Sequence, residues 1–188
     1  PLSSQALLDA AANDSWLIPH PVYWLPSSDI SAEVHYTSIG HRLNGESIGQ
    51  LAALRRIDGE QRYQSIVSVS RVGNVITATG RYAWVRDEYG TGSLTNAGVT
   101  FEVAGVPVTV SSVVTRGKDL IVTLAATPSA GGTLYIGNAG AQSFGGVNYG
   151  LGRTIGLRSN LRAPEVRFSH STARPIFTWA CHQRIAVA

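Results

Sequence analysis

The sequence predicts a mainly β protein: an antiparallel β-sandwich over residues 59–188, preceded over residues 1–58 by the terminal strand–loop–helix part of an α/β unit. Three observations carry this expectation. After Asp58-Gly59 the apolar residues change from helical spacing to alternation. Short β-branched runs then recur, punctuated by glycine-containing turns. No segment repeats at a fixed period, which sets aside a propeller or a solenoid.

Taken in order, Ser3-Ser4 caps a short helix over Gln5–Ala12 that ends at Asn13. Trp16-Leu17-Ile18 and Val22-Tyr23-Trp24-Leu25 are strand-like. Pro19 and Pro21 cannot donate to a ladder, so this strand lies at an edge or is irregular. Pro26-Ser27-Ser28-Asp29 is a loop. A helix runs from Ser38 to about Arg55, with Ile39, Leu43, Leu51 and Leu54 spaced to share a face. Gly40, Gly45 and Gly49 each cost it roughly 1 kcal/mol relative to alanine, a cost that suits a backbone packed closely on a sheet.

Beyond Gly59, strands are expected at Ser65–Ser70 and Val75–Thr79, flanking the hairpin turn at Val72-Gly73-Asn74. Further strands are expected at Tyr82–Arg86, Val99–Val103, Val106–Val114, Leu120–Ala125, Thr133–Ile136 and Ile176–Val187. Ala104-Gly105 interrupts one long run, and Arg116-Gly117-Lys118-Asp119 forms a second hairpin turn. Gly131-Gly132, Gly145-Gly146, Gly150 and Gly152 mark a loop-rich stretch before the last strand.

Composition narrows the function. Hydrophobic residues make up 44% of the 188, enough for a packed core. The net charge of +3 is small and the 15 Lys+Arg are scattered, with no basic run interleaved with aromatics, so nucleic acid is not an expected partner. No apolar run approaches the roughly 20 residues that span a bilayer, so membrane insertion is not expected. The single Cys181 excludes an intramolecular disulfide framework and a cysteine-based zinc site, and reads as a buried small hydrophobe. His170 and His182 lack paired ligand spacing, so neither metal nor other cofactor is expected. There is no methionine, even at position 1, which suggests the C-terminal piece of a longer polypeptide.

His35 sits between the proline-broken apolar segment and the helix that follows it. A loop between the last strand and closing helix of an α/β sheet is where such folds place a general base. A histidine base needs an acid to hold its tautomer and stabilise the imidazolium, and Asp29 and Glu33 are the nearby candidates.

Tyr23-Trp24-Leu25-Pro26, with Val34-His35-Tyr36-Thr37-Ser38-Ile39-Gly40-His41-Arg42-Leu43 and Gly45-Glu46, resembles the C-terminal block of SGNH (GDSL-type) hydrolases. That resemblance implies a catalytic-base role for His35. The pattern departs at Ala32, where the family has its triad aspartate, so Asp29 or Glu33 would have to substitute. The blocks carrying the serine nucleophile, the oxyanion-hole glycine and the asparagine have no counterpart in this chain, and Ser3 and Ser4 read as helix caps. The strand-rich region resembles the β-sandwich that follows an SGNH domain in phage and prophage tail-spike or fibre proteins. The matching elements are Arg158-Ser159-Asn160-Leu161-Arg162-Ala163-Pro164 and Phe177-Thr178-Trp179-Ala180-Cys181-His182. The resemblance implies a virion-surface location, bacterial surface glycans (capsule or lipopolysaccharide) and other virion proteins as partners, and a homo-oligomer, a trimer by preference.

Tyr82-Ala83-Trp84-Val85 followed by Asp87-Glu88-Tyr89-Gly90 combines aromatics, which stack on sugar ring faces, with carboxylates, which hold sugar hydroxyls. Tyr82, Trp84, Asp87 and Tyr89 are therefore the binding candidates, set against an ordinary charged turn beside core aromatics. Tyr82, Trp84 and Arg86 alternate and should share one face. Gly145-Gly146-Val147-Asn148-Tyr149-Gly150 lacks the strand-to-helix context of a phosphate loop. Arg153, Arg158, Arg162 and Arg167 concentrate positive charge, either for acidic capsule sugars or as a solvated face.

Two functions follow as expectations. One is a fibre- or spike-type module that binds bacterial surface polysaccharide. The other is the terminal part of a carbohydrate O-acetylesterase, with His35 as base and the serine supplied from upstream.

Overall fold

The computed structural model describes residues 9–10, 38–60, 62–88, 94–137 and 159–188. Within them the chain is mainly β, with one long helix, α1 (Ser38–Asp58). The strands are β1 (Ile66–Val72), β2 (Val75–Gly80), β3 (Val85–Arg86), β4 (Val99–Val103), β5 (Val106–Val108), β6 (Val110–Arg116), β7 (Asp119–Leu124), β8 (Gly132–Ile136), β9 (Leu161–Phe168), β10 (Pro175–Trp179) and β11 (Gln183–Val187). They form two four-stranded sheets, β1-β2-β7-β6 and β11-β8-β4-β5, and a three-stranded sheet, β10-β9-β3. All strand pairs are antiparallel; a single parallel bridge joins Gln64 to Ala180.

Alternation builds the core. Ile76 and Ala78 on β2 and Leu120, Val122 and Leu124 on β7 point inward from the first sheet. Val99 and Phe101 on β4 and Leu134 and Ile136 on β8 point inward from the second, and the two sets form one apolar cluster. The hairpin turns fall where the glycines put them: Val72 pairs with Val75 across Gly73-Asn74, and Arg116 with Asp119 across Gly117-Lys118. Ala104-Gly105 is itself a tight turn, with positive φ at both residues, joining β4 to β5.

Three expected strands differ. Val106–Val114 divides at Thr109: β5 edges the second sheet and β6 edges the first. Pro107 cannot donate to a ladder, which suits β5 to its edge. Ile176–Val187 divides at Ala180–His182, where the chain passes from the three-stranded sheet to the second four-stranded one. Of Tyr82–Arg86 only Val85 and Arg86 pair, with β9.

Helix α1 runs to Asp58, three residues further than expected, and stops because Gly59 adopts φ +76° and its N–H donates to Arg55 O at 3.0 Å. Its buried stripe is Gly40, Leu43, Ser47 and Leu51; Ile39 is 40% exposed and lies off it. Gly40 is buried in that stripe, whereas Gly45 and Gly49 face open space. The helix is fastened to the β9–β10 turn. The Glu46 carboxylate accepts from the N–H of His170 (2.9 Å) and of Ser171 (3.2 Å), and Gln50 Nε2 donates to Phe168 O at 2.8 Å. Hydroxyl donors from Ser169 and Ser171 hold the Glu46 carboxyl below its usual range.

The expected helix over Gln5–Ala12 is described only at Asp9 and Ala10, which are helical. The strand-like segments before Pro26, the glycine-rich stretch 145–152, and Arg153 and Arg158 lie outside the described residues.

Candidate functional site

The site begins with a proline. Pro164 has no N–H to give a ladder, and at this point the pairing of β9 with β10 slips: Val166 opposes Phe177, but Arg162 opposes Trp179. Ala163, Pro164 and Glu165 therefore face the single residue Thr178, a bulge that turns Glu165 toward the segment leaving α1. On the other side β3 pairs only with Leu161 and Arg162. Between the bulge, Arg62 and Tyr82 lies a groove of about 450 Å³ lined, among the described residues, by Arg62, Tyr82, Ala163, Pro164 and Glu165.

Tyr82 is held by a side chain acting as a peptide group. Gln64 is fully buried; its Nε2 donates to Tyr82 O and Ala83 O, both at 3.1 Å, and its Oε1 accepts from Tyr82 N at 3.1 Å. Gln183 does the same for β1, accepting from Ile66 N at 2.6 Å and donating to Ile66 O at 3.2 Å. These two amides continue the hydrogen bonding where strand pairing ends.

The charges at the groove are paired. Arg62 Nη1 donates to Glu165 Oε1 at 2.9 Å, and Nη2 donates to Asp58 Oδ2 at the end of α1. The bond to Asp58 is the main reason the Arg62 guanidinium is held above its ordinary pKa. Arg167 Nε lies 4.0 Å from Glu165 Oε2, while its other nitrogens reach Gln50 Oε1 (3.4 Å) and Thr178 Oγ1 (3.5 Å). Burial lowers the Arg167 pKa. Burial also pushes the Tyr82 hydroxyl up, with the Glu60 charge adding to it. Tyr82 Oη, Arg62 Nε and Arg167 Nε are buried and lack hydrogen-bond partners among the described residues. An unpartnered buried donor costs about 1–3 kcal/mol; Tyr82 and Arg62 line the groove, and Arg167 does not.

The candidate residues from the sequence have different surroundings. Tyr82 lines the groove. Trp84 does not share its face: it is 4% exposed and belongs to the core, where its indole lies on Gly80, at whose α-carbon an added Cβ would come within 2.6 Å of the ring. Its ring faces are taken by core neighbours and are not presented to a sugar. Asp87 is engaged elsewhere, accepting from Arg162 Nε at 2.7 Å, and that guanidinium sits 4.3 Å above the Phe177 ring. Tyr89, His35, Asp29 and Glu33 lie outside the described residues.

The paired Arg162 and the largely shielded Arg167 do not form a free basic face. Sequence reasoning missed Arg62, Pro164 and Glu165. A signal for Pro164 was there: a proline inside an alternating segment marks an edge or a bulge.

The Ser159-Asn160-Leu161-Arg162 element has a structural task. Ser159 Oγ and Asn160 N donate to Ala97 O at 3.0 Å, and Asn160 Oδ1 accepts from Leu94 N at 2.8 Å. These bonds hold the turn Thr95–Gly98, whose Asn96, Ala97 and Gly98 all have positive φ. A left-handed conformation costs roughly 1–2 kcal/mol per residue, and such fixed bonds offset it.

Cys181 is 5% exposed and packs with Tyr63; burial pushes its thiol up to about 12, so it is an inert core residue as expected. No group of three or more His, Cys, Asp or Glu among the described residues could hold a metal ion. No described helix is long and apolar enough to cross a membrane. Comparisons with family models, curated proteins and solved structures found no match to this chain.

Proposed function

We propose that the chain is a glycan-binding module of a phage-type surface protein, taking bacterial surface polysaccharide in the groove between β9 and Tyr82. One observation carries this reading: an aromatic side chain, a proline surface and a guanidinium–carboxylate pair converge there. Sugars offer apolar ring faces to the first two and hydroxyls to the outer edges of the pair. A volume of about 450 Å³ falls in the range of small-ligand sites. The virion-surface location and the other virion proteins as partners rest on the sequence resemblance alone. So does the trimer, although Val166 and Phe168, 41% and 61% exposed on β9, fit a chain that associates with copies of itself.

Glycan-array and calorimetric binding of the whole chain tests the reading. Tyr82→Ala is expected to weaken binding by about ten-fold or more while leaving the β-type circular dichroism unchanged. Tyr82→Phe removes a buried hydroxyl that has no partner among the described residues and keeps the ring, so it should leave stability unchanged or slightly raised and binding within about two-fold. Binding to no polysaccharide, or binding indifferent to Tyr82→Ala, overturns the proposal.

A second reading is that the parent protein is a carbohydrate O-acetylesterase with His35 as general base. It is favoured by helix α1 (Ser38–Asp58), which follows the His35 block in the chain. Acetate release by the parent polypeptide, abolished by His35→Ala, is the expected result; an unchanged rate rejects it.

A further inference from the structure

We infer that the groove selects uncharged saccharides over uronate-, sialate- or phosphate-bearing ones. The inference rests on the glycan-binding reading and names its ligand class. An anionic sugar is held by a cation with bonding capacity to spare, as when a guanidinium meets a carboxylate with two parallel bonds. The groove has one lining cation, Arg62, among the described residues, and it is clamped from both sides. Nη1 is given to Glu165 and Nη2 to Asp58. The remaining nitrogen, Nε, is buried beneath the surface.

Only the second hydrogens of Nη1 and Nη2 are left, and a carboxylate that took them would stand against the Glu165 and Asp58 carboxylates already neutralising that guanidinium. The neighbouring charges do not change this balance. Arg167 answers Glu165 from behind, at 4.0 Å, and Arg81 is drawn off over the Tyr63 ring, 4.5 Å from its centroid. Glu60 adds a further negative charge felt at Tyr82. Asp58, Glu60 and Glu165 thus balance Arg62, Arg81 and Arg167, and an anion gains no net attraction.

A neutral sugar meets no such penalty. Its ring face can lie on Tyr82 and Pro164, and the outer carboxylate and guanidinium edges remain free to bridge neighbouring hydroxyls without breaking the pair.

The test uses the whole chain in calorimetry against two probe sets. The neutral set is maltoheptaose, chitohexaose, galactan and mannan; the acidic set is polysialic acid, hyaluronan and polygalacturonate, with carboxyl-reduced polygalacturonate as the matched neutral control. The expected result is binding to a neutral member, changing by less than about two-fold between roughly 0.05 and 0.5 M salt. Glu165→Gln should then add affinity for polygalacturonate, by about five-fold at low salt, because it frees one side of Arg62. Preference of the unaltered chain for an acidic polymer, lost steeply with salt, overturns this inference and leaves glycan binding standing. Binding to neither set overturns the glycan-binding reading itself.

Discussion

The two halves of the β region are held together by different physics. In the two four-stranded sheets the side chains that matter are apolar and all but inaccessible: Ile76, Ala78, Leu120, Val122 and Leu134 are fully buried. The ladders there run with few interruptions, and the turns are short. The three-stranded sheet and α1 also bury apolar side chains, Leu43, Leu51, Leu161, Ile176 and Trp179 among them, and add polar ties: Glu46 to the β9–β10 turn, Gln50 to Phe168, Arg62 to Glu165, Asp87 to Arg162 and Gln64 to Tyr82. Apolar burial is non-directional and tolerates no chemistry, whereas polar contacts are directional and leave charged groups at the surface. The contrast teaches why the groove sits where it does. It occupies the seam at which fixed hydrogen bonds are added to burial.

The sharpest way to break the contrast is to change one buried residue on each of its two sides. Phe101→Ala empties a site 1% exposed between the sheets, and about 3–5 kcal/mol should be lost in urea or thermal unfolding. Next in size is Gln64→Leu, which keeps the volume but strips three hydrogen bonds from Tyr82 and Ala83. Leaving those buried groups without partners should cost about 2–3 kcal/mol, with glycan affinity falling further than at any surface position of the two large sheets. If Gln64→Leu were instead neutral, the polar seam would be no more than decoration on an apolar fold.

The large sheets were legible in the sequence for a reason that the seam does not share. Alternation and glycine turns are local signals, so β2, β4, β7 and β8 and the hairpin turns at Gly73 and Gly117 could be read within a few residues. The seam is not local. Arg62 and Glu165 are 103 residues apart, and the passage of the chain between sheets at Thr109 and at Ala180–His182 follows from contacts that no short window contains. Strand β9 was hidden because Arg162, Glu165 and Arg167 make it read as polar and Pro164 interrupts it. Alternation places Tyr82 and Trp84 on one face, but the strand begins only at Val85, so alternation does not govern residues 82–84, and Gly80 leaves room for the indole to turn into the core.

Acid sharpens the comparison. Burial pushes the His182 imidazole down to about 4 from its ordinary 6.5, beside Gly137 at the crossing between sheets. The unfolded chain therefore takes up a proton that the folded chain refuses. Stability is full above about pH 6.5 and is lost as pH falls toward about 4. Glu46 acts in the same direction. Its carboxyl is held low in the folded state, so its contribution is present above its usual range and disappears as acid protonates it. The midpoint of thermal unfolding should drop between pH 6.5 and 4, and His182→Gln should flatten that slope. An unaltered slope would mean that the ring protonates in place.

The smallest effect tests whether α1 owes its stability to its docked face or to its own backbone. Gly45 and Gly49 lie in the helix interior, both exposed, with nothing within 4 Å of where a Cβ would stand. Their expected use, close packing, does not apply at either. Gly45→Ala and Gly49→Ala each remove backbone freedom from the unfolded chain without meeting a neighbour, so each should stabilise by roughly 0.5–1 kcal/mol. The two sites are one helical turn apart with nothing beside either, so the double variant should add, read as a rise in the thermal midpoint. A loss of stability at either position would place an unseen surface against that face of the helix. It would transfer α1 from the seam described here to an interface of its own.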